Sequence, residues 1–242
     1  MPRLKLILIG VFVVMGWGMA LMGRKPLPNR RAQDGRGLAA KPEATYLALG
    51  DSYTIGEAVD PAERYPAQVR RLMAEKECRI RGDPEIVAAT GWTTGNLLEA
   101  LRSKDPSRTY DVVSLLIGVN NQFQGRSQAE YAEQFEILLR QCICLAGGRP
   151  GRVVVLSIPD YSVTPFGREG DTALIAAQID SFNRINASVA RKYLAKYIDV
   201  TTESRKAATD PTLVAGDGLH FSGKEYALWA RLLAPVIKEM LK

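Results

Sequence analysis

From residue 43 onward, short apolar runs alternate with longer stretches in which apolar residues recur every three or four positions. The runs read as strands over 45–50, 85–89, 111–117, 152–158 and 197–200, because they are short, rich in Val, Ile and Leu, and bounded by turn-forming residues. The stretches between them read as helices. One is opened by Pro66 and carries Val69, Leu72 and Met73 on a shared face, and one covers 96–102. Another covers 128–145 and is stopped by Gly147 and Gly148; the last two cover 172–194 and 223–241, the latter behind Ser222, which suits an N-cap. Such regular alternation predicts an α/β fold, a five-stranded parallel sheet covered by helices on both faces and joined by right-handed crossovers. Ligands of these sheets bind beyond the carboxyl ends of the strands, so chemistry is to be sought in the loops that leave them.

The first 42 residues follow a different pattern. Leu6 to Gly23 is an uncharged apolar run of 18 residues preceded by Arg3 and Lys5, which predicts an export signal or a membrane anchor over 1–23. Residues 24–42 are rich in Arg, Pro, Gly and Ala without apolar periodicity, as expected of a solvated linker. The folded domain is therefore expected over 43–242. Export to a periplasmic or extracellular location, or membrane attachment through the N-terminal segment, is the expectation. The larger number of Lys and Arg after the run works against it by the positive-inside tendency.

Charge changes the picture once it is divided along the chain. The 242 residues carry 32 Lys+Arg against 26 Asp+Glu, a net +6. Residues 1–42 hold eight bases and one acid (net +7), leaving 24 bases and 25 acids (net −1) for the expected domain. A nucleic-acid-binding domain needs a basic face of its own, so that class is set aside. The single histidine, His220, and three cysteines (Cys78, Cys142, Cys144) exclude nearly every zinc site built from His and Cys. The cysteines read as core packing, with a bridge from Cys78 to either other left open.

Four of the loops at the predicted carboxyl edge carry chemistry. Gly50-Asp51-Ser52 follows the first strand, where a glycine permits a turn that presents a serine hydroxyl. Gly91 follows the second strand, and its N–H has no side chain to keep a carbonyl oxygen away. Asn120 follows the third strand and offers a neutral amide donor to the same oxygen. Asp217 stands three residues before His220 on a turn, so its carboxylate can hold the ring through Nδ1 and leave Nε2 for the serine. A Gly-Asp-Ser alone arises by chance in roughly one chain in twenty of this length, so the weight lies in the joint placement on one edge. Trp92, Asn121 and Phe123 fall beside these residues and are expected to bind substrate; Tyr161 and Phe166 suit either an acyl-binding wall or plain packing. Asp51 reads as a brace of its loop.

In these motifs and in their order, from about Tyr46 to Trp229, the chain resembles the SGNH (GDSL) hydrolase family of bacterial lipases and esterases. The family's Ser, Gly, Asn and His correspond to Ser52, Gly91, Asn120 and His220, with Asp217 as the acidic member. Two positions depart from the family pattern: Tyr53 replaces the usual Leu, and Asn121 replaces the usual Asp. The resemblance implies a flavodoxin-like three-layer α/β/α sandwich and hydrolysis of acyl esters or thioesters, with no metal or cofactor, through a Ser-His-Asp triad and an acyl-enzyme. A monomer acting on a small-molecule or lipid ester is expected. The competing readings are an acyltransferase using the same acyl-enzyme and a non-catalytic carbohydrate- or lipid-binding module.

Overall fold

β1 (Tyr46–Gly50), β3 (Val112–Leu116) and β4 (Val153–Leu156) are buried along their whole length, which is why each is apolar at nearly every position. The computed structural model describes residues 43–75, 78–105 and 107–242; the expected leader (1–23) and most of the chain ahead of the domain lie outside them. β2 (Glu85–Ala88) and β5 (Lys196–Ile198) are only partly covered and form the edges of a five-stranded sheet in the order β2-β1-β3-β4-β5. All four pairings are parallel. Glu85 and Lys196 place a charge on each edge strand, which discourages a further chain from pairing there.

Helices cover both faces. α2 (Tyr65–Glu75) packs against α8 (Gly223–Met240) in one layer, and α5 (Gln128–Leu145) packs against α3 (Thr94–Arg102) and α6 (Thr172–Lys192) in the other. The result is a three-layer α/β/α sandwich of flavodoxin-like strand order. Three short helices, α1 (Ser52–Ile55), α4 (Val119–Phe123) and α7 (Thr201–Ser204), start just beyond β1, β3 and β5. Four or five residues are too few to display a helical period, so the hydrophobic pattern does not predict them. α3 starts at Thr94 rather than Asn96, because the Thr93 side chain and Asn96 close a capping box around its first turn.

The strand order sets the site. The chain leaves β1 toward β2 on one side and later runs from β3 toward β5 on the other, so a crevice opens where the direction reverses. Gly50 is in register with Ala88 of β2 and Leu116 of β3, so three loops leave the sheet at one height. β4 is continued by Asn183 of α6, which accepts from the Ile158 N–H at 2.7 Å and donates to the Ile158 carbonyl at 3.0 Å. That clasp fixes the start of the loop bearing Tyr161.

Candidate active site

Ser52 is the first residue of α1 and is nearly covered, at 4% exposure. The turn that puts it there requires Gly50: a Cβ at that position would lie 2.2 Å from the Leu116 carbonyl oxygen of the neighbouring strand. Asp51 caps α1 through an Oδ1 that accepts from the Tyr53 N–H at 3.1 Å, the bracing expected of it. The carboxyl is fully buried and its Oδ2 has no partner among the described residues. Burial pushes its pKa up to about 7, against the pull of the hydrogen bond from the Tyr53 backbone.

Two further loops leave the sheet beside that of Ser52; Asn120 of one lines a cavity with Ser52, whereas Gly91 of the other is exposed and outside that lining. Gly118, at φ +130°, turns the chain from β3 into α4 where a side chain would run into the Tyr131 hydroxyl and Ile158. The next turn carries Asn120, whose Nδ2 donates to the Trp92 carbonyl at 3.0 Å. One amide hydrogen is thus committed to the neighbouring loop, which orients the other. Gly91 lies in that loop at φ +80°, and among the described residues neither its N–H nor that of Ser52 has a hydrogen-bond partner.

The imidazole comes from the segment between β5 and α8. Ala215 donates to the His220 carbonyl at 2.8 Å, and an antiparallel bridge joins Val214 to Phe221, so the segment doubles back on itself. Asp217 Oδ2 lies 2.6 Å from His220 Nδ1, while its Oδ1 accepts from the backbone N–H groups of Leu219 (3.0 Å) and His220 (2.9 Å). Partial burial would raise the Asp217 pKa, but these three hydrogen bonds outweigh it and hold the carboxyl below its ordinary range. Tyr53, buried at 2% exposure, packs edge-on against the ring.

Ser52, Asn120 and His220 line one cavity of about 90 Å³, together with Phe123, Tyr161 and Phe166. The three aromatic rings lie 6.1–6.5 Å apart, and Phe123 and Phe166 are the exposed members at the mouth. A larger groove of about 980 Å³ beside α2, lined by Arg64, Arg70 and Arg79 among others, contains none of these groups, so chemistry rather than volume locates the site. Among the described residues no three His, Cys, Asp or Glu side chains converge as a metal site would require.

Residues 48–228 match the GDSL-like Lipase/Acylhydrolase family over three quarters of the chain. The chain belongs to that family. It is an ester hydrolase of the GDSL lipase/acylhydrolase type. No curated protein sequence matches it significantly. Its fold is similar to that of a lipase/acylhydrolase from Enterococcus faecalis (TM-score 0.63, 24% identity, covering 82% of this chain and 97% of that one). It is also similar to Axe2, an acetylxylan esterase from Geobacillus stearothermophilus (0.62, 21%, 80% and 94%). A third likeness is to the psychrotrophic esterase EstA from Pseudoalteromonas sp., solved inhibited by monoethylphosphonate (0.63, 16%, 82% and 99%). At these identities the likeness is one of fold.

Two positions of this GDSL-like hydrolase stand differently from the sequence expectation. Asn121 does not face the cavity: it is 1% exposed, with Oδ1 accepting from the Thr94 N–H at 3.0 Å and Nδ2 donating to Thr94 Oγ1 at 2.7 Å. Successive residues on a helix point about 100° apart, so with Asn120 at the cavity its neighbour turns inward. Trp92 is likewise absent from the cavity wall; its side chain packs against the core and its carbonyl is what the site uses. Phe123 does line the cavity. Tyr53, Val119 and Leu219 also line it, and only Tyr53 had a sequence signal, its departure from the family's Leu. The three cysteines are free thiols.

Proposed function

We propose that this chain hydrolyses short-chain acyl esters through Ser52 as nucleophile, His220 as base and Asp217 as the carboxylate that orients it. The observation that carries the reading is the 2.6 Å contact of Asp217 Oδ2 with His220 Nδ1 in a ring that shares a cavity with Ser52. With Nδ1–H donated to Asp217, the other nitrogen, Nε2, is an acceptor for the Ser52 proton. Oγ then attacks the acyl carbonyl. The oxyanion is met by the free N–H groups of Ser52 and Gly91 and by the second amide hydrogen of Asn120, each worth about 10²–10³ in rate. His220 returns the proton to the leaving alcohol, and water, deprotonated in the same way, releases the acid and regenerates Ser52. Asp217, held below the ordinary carboxylate range, stays ionised throughout the neutral region.

Cavity size supports the short acyl chain. At about 90 Å³ the cavity holding Ser52 and His220 is small, which favours a short acyl group over a long one. The apolar run over 6–23 supports export or membrane attachment as the setting, testable by fractionating cells that express the full chain.

The decisive experiment is labelling by a phosphonate probe, the inhibitor class named for the Pseudoalteromonas esterase. Intact mass should rise by one adduct in the native chain and not in Ser52→Ala, and both Ser52→Ala and His220→Ala should hydrolyse p-nitrophenyl acetate only at background. Labelling or turnover that survives Ser52→Ala would sink the reading.

A further inference from the structure

The loop between β2 and α3 is clasped at three points. Thr90 Oγ1 donates to Glu57 just beyond α1, the Trp92 carbonyl accepts from Asn120, and Thr94 is held at both its backbone N–H and its hydroxyl by Asn121. The last clasp extends into a chain with one polarity. Because Asn121 Nδ2 donates to Thr94 Oγ1, the hydroxyl must direct its own proton to Gln134 Oε1 at 2.5 Å, and Gln134 Nε2 donates in turn to Glu130 at 3.1 Å. The anionic end of the chain thus orients every amide and hydroxyl back to Asn121.

This chain is more than α3 needs in order to start. The Thr93–Asn96 capping box already closes the first turn, and the Thr94 N–H is a donor that the box leaves free. Its acceptor lies across the cleft on α4, next to Asn120. Thr94 is fully buried and Asn121 is 1% exposed, so neither end of the clasp has water as a substitute partner. Gly91 precedes Thr94 by three residues, and Asn120 precedes Asn121 by one.

We infer that Asn121, Thr94 and Gln134 form a positioning chain that sets the Asn120 amide against the Gly91 N–H, so that both reach one oxyanion. This rests on the reading of Gly91 and Asn120 as oxyanion donors. The chain touches no reacting atom. It acts by holding the loop after β2 and the helix after β3 in one relative position, to which an oxyanion site is sensitive at the ångström scale.

The test is Thr94→Val, which keeps the shape and removes the hydroxyl, with Thr94→Ser as the conservative variant. On p-nitrophenyl acetate, Thr94→Val should lower kcat about tenfold with KM within about twofold, and Thr94→Ser should restore kcat to within about twofold. In an Asn120→Ala background Thr94→Val should cost less than about twofold, because the group it positions is gone. Gln134→Leu, on the partly exposed face of α5, breaks the far end of the chain and serves if Thr94→Val does not fold. It should lower kcat about threefold, and again only when Asn120 is present. Equal losses with and without Asn120, or a loss confined to KM, overturn the positioning role. Full activity in Ser52→Ala would instead show that the underlying catalytic reading has failed.

Discussion

The ring of Tyr53 stands edge-on to that of His220, with centroids 5.8 Å apart and an interplanar angle of 69°. The imidazole is thus held at Nδ1 by the hydrogen bond to Asp217 and packed against the ring of Tyr53, which limits its swing by contact. Tyr53 is in turn wedged against Phe221 and Trp229, at 5.8 and 6.2 Å, so the nucleophile's neighbour, the base's neighbour and α8 share one aromatic cluster.

Replacing Tyr53 by the family's usual Leu should weaken both functions of the ring. The smaller side chain leaves a gap among Phe221, Trp229 and His220, which should cost about 1–3 kcal/mol in urea unfolding. The looser imidazole should lower kcat about fivefold on p-nitrophenyl acetate. A variant of native stability with native kcat would show that the edge contact is incidental.

Asp51 makes stability depend on pH in a defined direction. An unfolded Asp titrates near 3.9, whereas burial lifts the folded carboxyl to about 7, so the folded chain holds the extra proton between those values. The contribution is fully present below about pH 4 and is lost as pH rises to about 7, a change on the order of 2–4 kcal/mol. Glu225, raised to about 7 chiefly by burial, slopes the same way, so the comparison must be with Asp51→Asn rather than with a flat line. Between pH 4 and 7 the native chain should lose stability more steeply than Asp51→Asn; parallel curves would mean that Asp51 does not carry the proton.

Phe123 is more than half exposed at the cavity mouth and touches Phe166 and Tyr161 there. Phe123→Ala should open the cavity and shift preference toward longer chains, raising the octanoate-to-acetate ratio of kcat/KM about tenfold. Rates across p-nitrophenyl esters of two to sixteen carbons measure this directly. An unchanged ratio would place the acyl chain elsewhere.

Arg205 bridges the loop after β4 to α6. Its Nε donates to Asp160 at 2.8 Å and its terminal nitrogen to Asp180 at 2.8 Å, and Asp160 is 1% exposed. Arg205→Met strands a buried carboxylate with the Ser162 N–H among its remaining partners. The loss should be about 2–3 kcal/mol, below the range for a fully buried pair because Arg205 is itself partly exposed. Adding Asp160→Asn should recover about half; no recovery would show that the carboxylate's charge is not the cause.

Residue types that act locally are legible in the amino-acid sequence. Val112, Val113, Val153 and Val154 announce strands because strands buried on both faces must be apolar throughout, and Ser222 announces a helix start because a cap needs only its own next turn. Asp217 and His220 are legible together for the same reason: three residues on one turn suffice to bring a carboxylate to an imidazole. Asn120 and Asn121 are not separable in this way. They are identical in chemistry and adjacent in sequence, and only the direction in which α4 leaves β3 decides that one meets Trp92 across the cleft and the other meets Thr94 beneath it.

Neighbouring residues alone dictate the succession of strands and helices and the chemical groups carried by each loop, since hydrophobic period, caps and side-chain type are local properties. The strand order β2-β1-β3-β4-β5, the inward turn of Asn121, the use of Trp92 by its carbonyl rather than its ring, and the 90 Å³ cavity lined by Phe123 follow only from the assembled fold. Each of these depends on which distant segments share a boundary, and packing fixes that only when the whole sheet and both helical layers are in place.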